Sequence, residues 1–112
     1  MKIYVAGPFT TKEDGKFHNN PKKLAENLRK AREIGIKLVK IGHYPYVPHT
    51  HIGACGEDIS YDELMAINLT FLRGWADALL FLGPSRGANI ELLEAGKMGL
   101  TIFTSIDQIP KK

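Results

Sequence analysis

The chain has one cysteine, Cys55, so no intramolecular disulfide can form. Such a chain fits a reducing compartment, and we expect the cytoplasm. It has no apolar run near the ~20 residues that a membrane-spanning helix needs, so no membrane partner is expected. It opens directly on a strand pattern, Lys2-Ile3-Tyr4-Val5-Ala6, in place of a signal-peptide layout. Repeats, low-complexity tracts and linker-like stretches are lacking too, and residues 1–112 read as a single domain. No Gly-x-Gly-x-x-Gly follows the first strand, where Gly7 stands alone before Pro8, which argues against a dinucleotide site. The segment Gly83-Pro84-Ser85-Arg86-Gly87 has neither a P-loop lysine nor a hydrolase nucleophile elbow. His49, His51 and Cys55, with His43 nearby, lack the spacing of a common zinc motif, and no metal is expected.

A large excess of one charge is also missing. Lys and Arg number 15 against 12 Asp and Glu, for a net charge of +3. The basic residues gather in one segment, as Lys22, Lys23, Arg29, Lys30, Arg32, Lys37 and Lys40. On a helical wheel most of them fall opposite Leu24, Leu28, Ala31, Gly35 and Leu38, the pattern of a solvated helix face. No nucleic-acid polymer is therefore expected as a partner, although a mildly cationic protein attracts small anions.

What is present alternates. Residues 2–6 read as strand one and residues 7–19 as a long polar loop. Asn20 then reads as an N-cap and Pro21 as the first residue of a helix that runs to about Ile41 and ends at Gly42. Tyr44 to Pro48 reads as strand two, at a sheet edge because of its prolines. Residues 49–59 read as a second loop, and Ser60 and Glu63 as a capping box that opens helix two, about 61–73. Strand three follows at about 76–82, helix three at 87–98, strand four at 100–104, and a last short helical turn near 105–110. Strands alternating with helices predict a parallel sheet. The two loops and the turn at 83–87 all follow strands, so all three meet at the carboxyl edge, where such sheets bind ligands.

The turn at 83–87 is the most site-like of the three. It joins the apolar run Ala78-Leu79-Leu80-Phe81-Leu82 to a helix, and so points backbone N–H groups and a positive helix end at that edge. Glu91 lies about one turn into the helix, and the helix end is expected to help keep it ionised.

Two motifs carry a resemblance. Ile3-Tyr4-Val5-Ala6-Gly7-Pro8-Phe9 resembles the opening of the nucleoside 2-deoxyribosyltransferase family. Ser85-Arg86-Gly87-Ala88-x-x-Glu91 resembles that family's second motif, a Ser-Gly turn leading to a glutamate. The related deoxynucleoside 5'-monophosphate N-glycosidases share the layout. Pro45-x-x-Pro48-His49 is similar to a pattern of small bacterial and phage proteins built the same way. The resemblance implies a three-layer α/β fold, flavodoxin-like or Rossmann-like, with about four parallel strands in the order 2-1-3-4. It implies cleavage or exchange of a base at an N-glycosidic bond, with a nucleoside or nucleotide as substrate and no cofactor. By this resemblance Glu91 is the nucleophile and Tyr4 its orienter. Ser85 and Gly87 would cradle a sugar hydroxyl or phosphate, and Arg86 would pair with a phosphate. Gly7, Pro8 and Phe9 would floor the base pocket.

One position departs from that pattern. The family often has an aspartate where this chain has Asn68, and an amide is no general acid. Asn68 then becomes a polar pocket residue, and Asp58 or Asp62 a candidate for proton transfer; Asp77 falls at the wrong end of strand three. The alternative is a module that binds a nucleotide without chemistry. Helix three is apolar on two sides, with Leu92, Ala95 and Gly96 on one and Ile90 and Leu93 on another. That pattern and the resemblance imply a homodimer with a site completed across the interface, to which Tyr61, Met65 or Trp75 could contribute.

Overall fold

The structure, a computed structural model, describes residues 1–8, 12–13, 16–17, 21–48 and 60–111. Phe9, His49, His51, Cys55 and Asp58 lie outside the described residues, as does Asn20. The elements in order are β1 (Lys2–Ala6), β2 (Lys12–Glu13), β3 (Lys16–Phe17), α1 (Pro21–Lys40), β4 (Tyr44–Tyr46), α2 (Tyr61–Trp75), β5 (Ala78–Phe81), α3 (Arg86–Lys97) and β6 (Thr101–Phe103). A single 3-10 turn, Ile106–Gln108, follows. The short antiparallel pair of β2 and β3 falls inside the stretch read as loop from the sequence. Strands of two residues are too short to show an alternating pattern.

The main sheet has the order β4-β1-β5-β6, with every pair parallel. This is the order 2-1-3-4 expected from the sequence. Its logic is the three-layer one: alternate residues of each strand serve opposite helix layers. Ile3 and Val5 pack with Leu38 of α1, Ala78, Leu80 and Ile109 on one face. Tyr4 and Ala6 pack with Leu72 of α2, Leu79, and Ala88 and Ala95 of α3 on the other. Lys22, Arg29, Lys30, Arg32, Lys37 and Lys40 of α1 are exposed while Ala31 and Leu38 are buried, and Arg29–Glu33 and Lys30–Glu26 pairs run along the exposed side. Gly42, with φ of 94°, ends that helix in a backbone conformation that costs glycine nothing.

The helix starts are as local chemistry requires. Ser60 caps α2 with both bonds of a capping box. Ser85 caps α3 by accepting from the Ala88 amide at 3.1 Å. Among the described residues no helix is long and apolar enough to cross a membrane.

The chain leaves β1 for β4 on one side, then returns for β5 on the other. The carboxyl ends of β1 and β5 are therefore the point where the strand order reverses, and such points hold ligands in open parallel sheets. The two ends come very close there. The Leu82 amide donates to the Ala6 carbonyl at 2.7 Å. A Cβ on Gly7 would lie 2.9 Å from that of Leu82, so this approach needs glycine.

Candidate functional site

Tyr4 and Glu91 meet beside this reversal point. Tyr4 lies on the β1 face that α2 and α3 cover and is 0% exposed. Glu91 stands on the inner side of α3 with Ala88 and Ala95, at spacings of three and four, and is 5% exposed. The Tyr4 hydroxyl donates a short hydrogen bond to Glu91 Oε2. The sequence places these residues 87 positions apart, and the sheet brings them together.

The electrostatics correct one expectation. Glu91 was expected to stay ionised with help from the helix end. Burial instead pushes its carboxyl up to about 7, and the hydrogen bond from Tyr4 offsets only part of that rise. The physical reason is distance along the helix. The helix end acts within its first turn, and Glu91 is the sixth helical residue after the Ser85 cap. Tyr4 is pushed far upward, first by burial and then by the charge and hydrogen bond of Glu91, so it stays a donor.

A second tyrosine, which sequence reading did not single out, belongs to the same surroundings. Tyr46 is the register partner of Tyr4 on β4. Their rings lie 5.5 Å apart. Burial, then the charge on Glu91, raises the Tyr46 hydroxyl. Its ring stacks on Phe71 of α2 at 4.5 Å and meets the edge of Trp75 at 6.1 Å. The available signal was parity: strands read in register put Tyr46 in the same row as Tyr4.

Asn68 is 7% exposed, on the buried stripe of α2 between Met65 and Leu72. Among the described residues its side chain has no hydrogen-bond partner, although Glu91 and His43, which are as deeply buried, both have one. Arg73 Nε donates to Glu94 Oε1 at 2.8 Å and ties α2 to α3 side by side. Asn68 lies five residues before Arg73 and Glu91 three before Glu94, so both stand on the N-terminal side of that tie.

The remaining residues sort clearly. Gly7 and Pro8 are half-buried at the end of β1, and Pro8 packs near Gly83. Ser85 and Gly87 are half-buried at the start of α3, and the Ser85 oxygen already caps the helix. Arg86 is exposed. Asp62 is exposed in the first turn of α2, on no inner face. Asp77 accepts from the Lys2 amide at 3.0 Å, which puts it at the opposite edge of the sheet. His43 is occupied as well: its Nδ1 takes the N-terminal ammonium at 2.8 Å and its Nε2 meets the Pro110 carbonyl at 2.6 Å. No cluster of three metal-ligating side chains exists among the described residues.

Fold and site thus define a class, a three-layer parallel α/β domain with a buried tyrosine–glutamate pair where the strand order reverses. No protein-family model and no curated protein matches the chain.

Proposed function

We propose that this protein cleaves or exchanges the base of a nucleoside or nucleoside 5'-monophosphate, with Glu91 as nucleophile. The observation that carries the reading is the buried hydrogen bond from Tyr4 to Glu91 at the reversal point. A carboxylate poised near neutrality, oriented by a neutral phenol, suits attack on an anomeric carbon.

The chemistry balances in two steps. Glu91 forms a C–O bond to the anomeric carbon as the C–N bond breaks, and the base leaves with the electron pair. Water or a second base then attacks that carbon, Glu91 leaves as a carboxylate, and the proton given up by the attacking group goes to the departed base. Tyr4 holds the attacking oxygen in place. Gly7 and Pro8 lie beneath the base, with Phe9 assigned there from the sequence motif. The start of α3, with Ser85, Arg86 and Gly87, meets the sugar or its phosphate through backbone N–H groups and charge. The protein works in the cytoplasm as a homodimer, in which Ile90 and Leu93, exposed on α3, meet a second copy. No cofactor enters.

A non-catalytic nucleotide-binding module is the second reading, and one observation favours it. Asn68 takes the place where a proton-donating acid would be useful, and no other acid group among the described residues is buried near Glu91.

The test uses a panel of deoxynucleosides and their monophosphates, with and without acceptor base, and follows free base by chromatography. Release should rise with pH through about 7 as Glu91 ionises. Glu91→Gln should lose roughly a thousandfold or more. Release that survives this change overturns the nucleophile assignment, and binding without any release favours the second reading.

A further inference from the structure

Asn68 is an amide that folding has buried without giving it a partner among the described residues. A buried polar group in that state costs stability, and native proteins rarely carry one without a reason. The other buried polar side chains show the usual outcome: His43 has both ring nitrogens engaged, and Glu91 accepts from Tyr4. Asn68 stands one turn before Phe71, whose ring is stacked on Tyr46, and Tyr46 in turn neighbours Tyr4 of the tyrosine–glutamate pair. The helix that carries the amide is thus joined to that pair through aromatic rings.

An asparagine side chain has a carbonyl acceptor and N–H donors in one plane. Its complement is a neutral planar group with an N–H donor beside an acceptor, and the edge of a purine or pyrimidine has that arrangement. A carboxylate in the same place would accept only, and would favour a ring edge made of donors.

We infer that Asn68 reads the hydrogen-bonding edge of the base, in a two-bond contact that selects neutral bases with a donor and an acceptor side by side. The inference rests on the nucleoside reading for the identity of the ligand. It adds that selectivity among bases comes from α2, through an amide that carries no proton to the leaving group.

Free bases separate this contact from the chemistry. Calorimetric titration of the wild-type protein compares adenine with unsubstituted purine, which lacks the amino donor, and uracil with 3-methyluracil, whose donor is blocked. For at least one pair the complete edge should bind about tenfold to a hundredfold tighter. Asn68→Leu, similar in size and apolar, should erase that preference and melt no lower than wild type, because it removes an unsatisfied group. Asn68→Asp should lower affinity for the complete edge. A preference that persists in Asn68→Leu, no preference or no binding of any base by wild type, or marked destabilisation by Asn68→Leu overturns the inference. The nucleoside reading fails separately. Edge-selective binding that depends on Asn68, without base release from any nucleoside or monophosphate, sinks cleavage and leaves the contact standing. Base release with selectivity unchanged in Asn68→Leu does the reverse.

Discussion

The two faces of β1 are built from neighbouring residues and serve opposite ends. Ile3 and Val5 turn toward α1 and cluster with the apolar Leu38, Ala78, Leu80 and Ile109. Tyr4 and Ala6 turn toward α2 and α3, where the same depth of burial includes Glu91 and Asn68. One face gains stability from burial. The other gives some of it up, since a carboxyl and an amide are removed from water there with one hydrogen bond between them among the described residues. Each face has its own buried apolar cluster, and the α2–α3 face keeps groups suited to chemistry as well.

The sharpest way to break that comparison is to cut into the apolar face. Leu38 and Leu80 are both 0% exposed. Leu38→Ala or Leu80→Ala should each cost about 2–5 kcal/mol, read by urea unfolding, from the lost transfer energy and the cavity left behind. A cost below ~1 kcal/mol for both would mean that this face does not carry the fold.

The polar face should respond to pH in the sense opposite to a salt-bridged acid. Glu91 has its pKa raised in the folded state to about 7 from an ordinary value of 4.5. Between those values the folded chain binds more protons than the unfolded one, so stability falls as pH rises through that window and levels off above it. The fall is on the order of 3 kcal/mol. Glu91→Gln cannot titrate at this position, so its stability should be flatter from pH 5 to 8 and should exceed that of wild type at the upper end. Parallel stability curves for the two proteins would show that Glu91 is not desolvated in solution.

Tyr4 should have a smaller and more specific effect. Its hydroxyl holds the Glu91 pKa down against burial. Tyr4→Phe should therefore move the acid limb of kcat/KM to higher pH and lower the rate near neutrality by about tenfold or more. On the proposed chemistry, a slower reaction with an unmoved limb would assign Tyr4 to packing alone.

The sequence made the apolar layers readable because their signals are local. The apolar run in Lys2–Ala6, the stripe through Ala31 and Leu38, the capping box at Ser60 and Glu63, and the glycine after α1 each follow from the residues of one element. The parallel order followed from the alternation of strands and helices. The glutamate and tyrosine of the site came from two short motifs, not from spacing. Tyr46 did not stand out, because its place beside Tyr4 depends on register between strands 42 residues apart. The raised pKa of Glu91 is not legible in the sequence for a related reason. Position in a helix is written in the sequence, but the depth at which a helix residue is buried by a sheet is set by tertiary packing.

The smallest expected effect tests whether the polar face depends on how its helices begin. Ser60 Oγ accepts from the Glu63 amide at 3.0 Å, and Glu63 Oε1 accepts from the Ser60 amide at 2.9 Å. Both groups are exposed, so water replaces part of what is lost. Ser60→Ala should cost about 1 kcal/mol by urea unfolding, and Ser60→Asp, which can still accept from the amide, should recover most of it. The cap lies two turns before Asn68, and the lower part of α2 is held independently by the buried Leu72 and the Arg73–Glu94 bond. On the proposed chemistry the acid limb of kcat/KM should therefore stay in place in Ser60→Ala, since among the described residues Ser60 and Glu63 share no hydrogen bond with Tyr4 or Glu91. A limb that moves with this substitution would mean that the start of α2 sets the surroundings of Glu91.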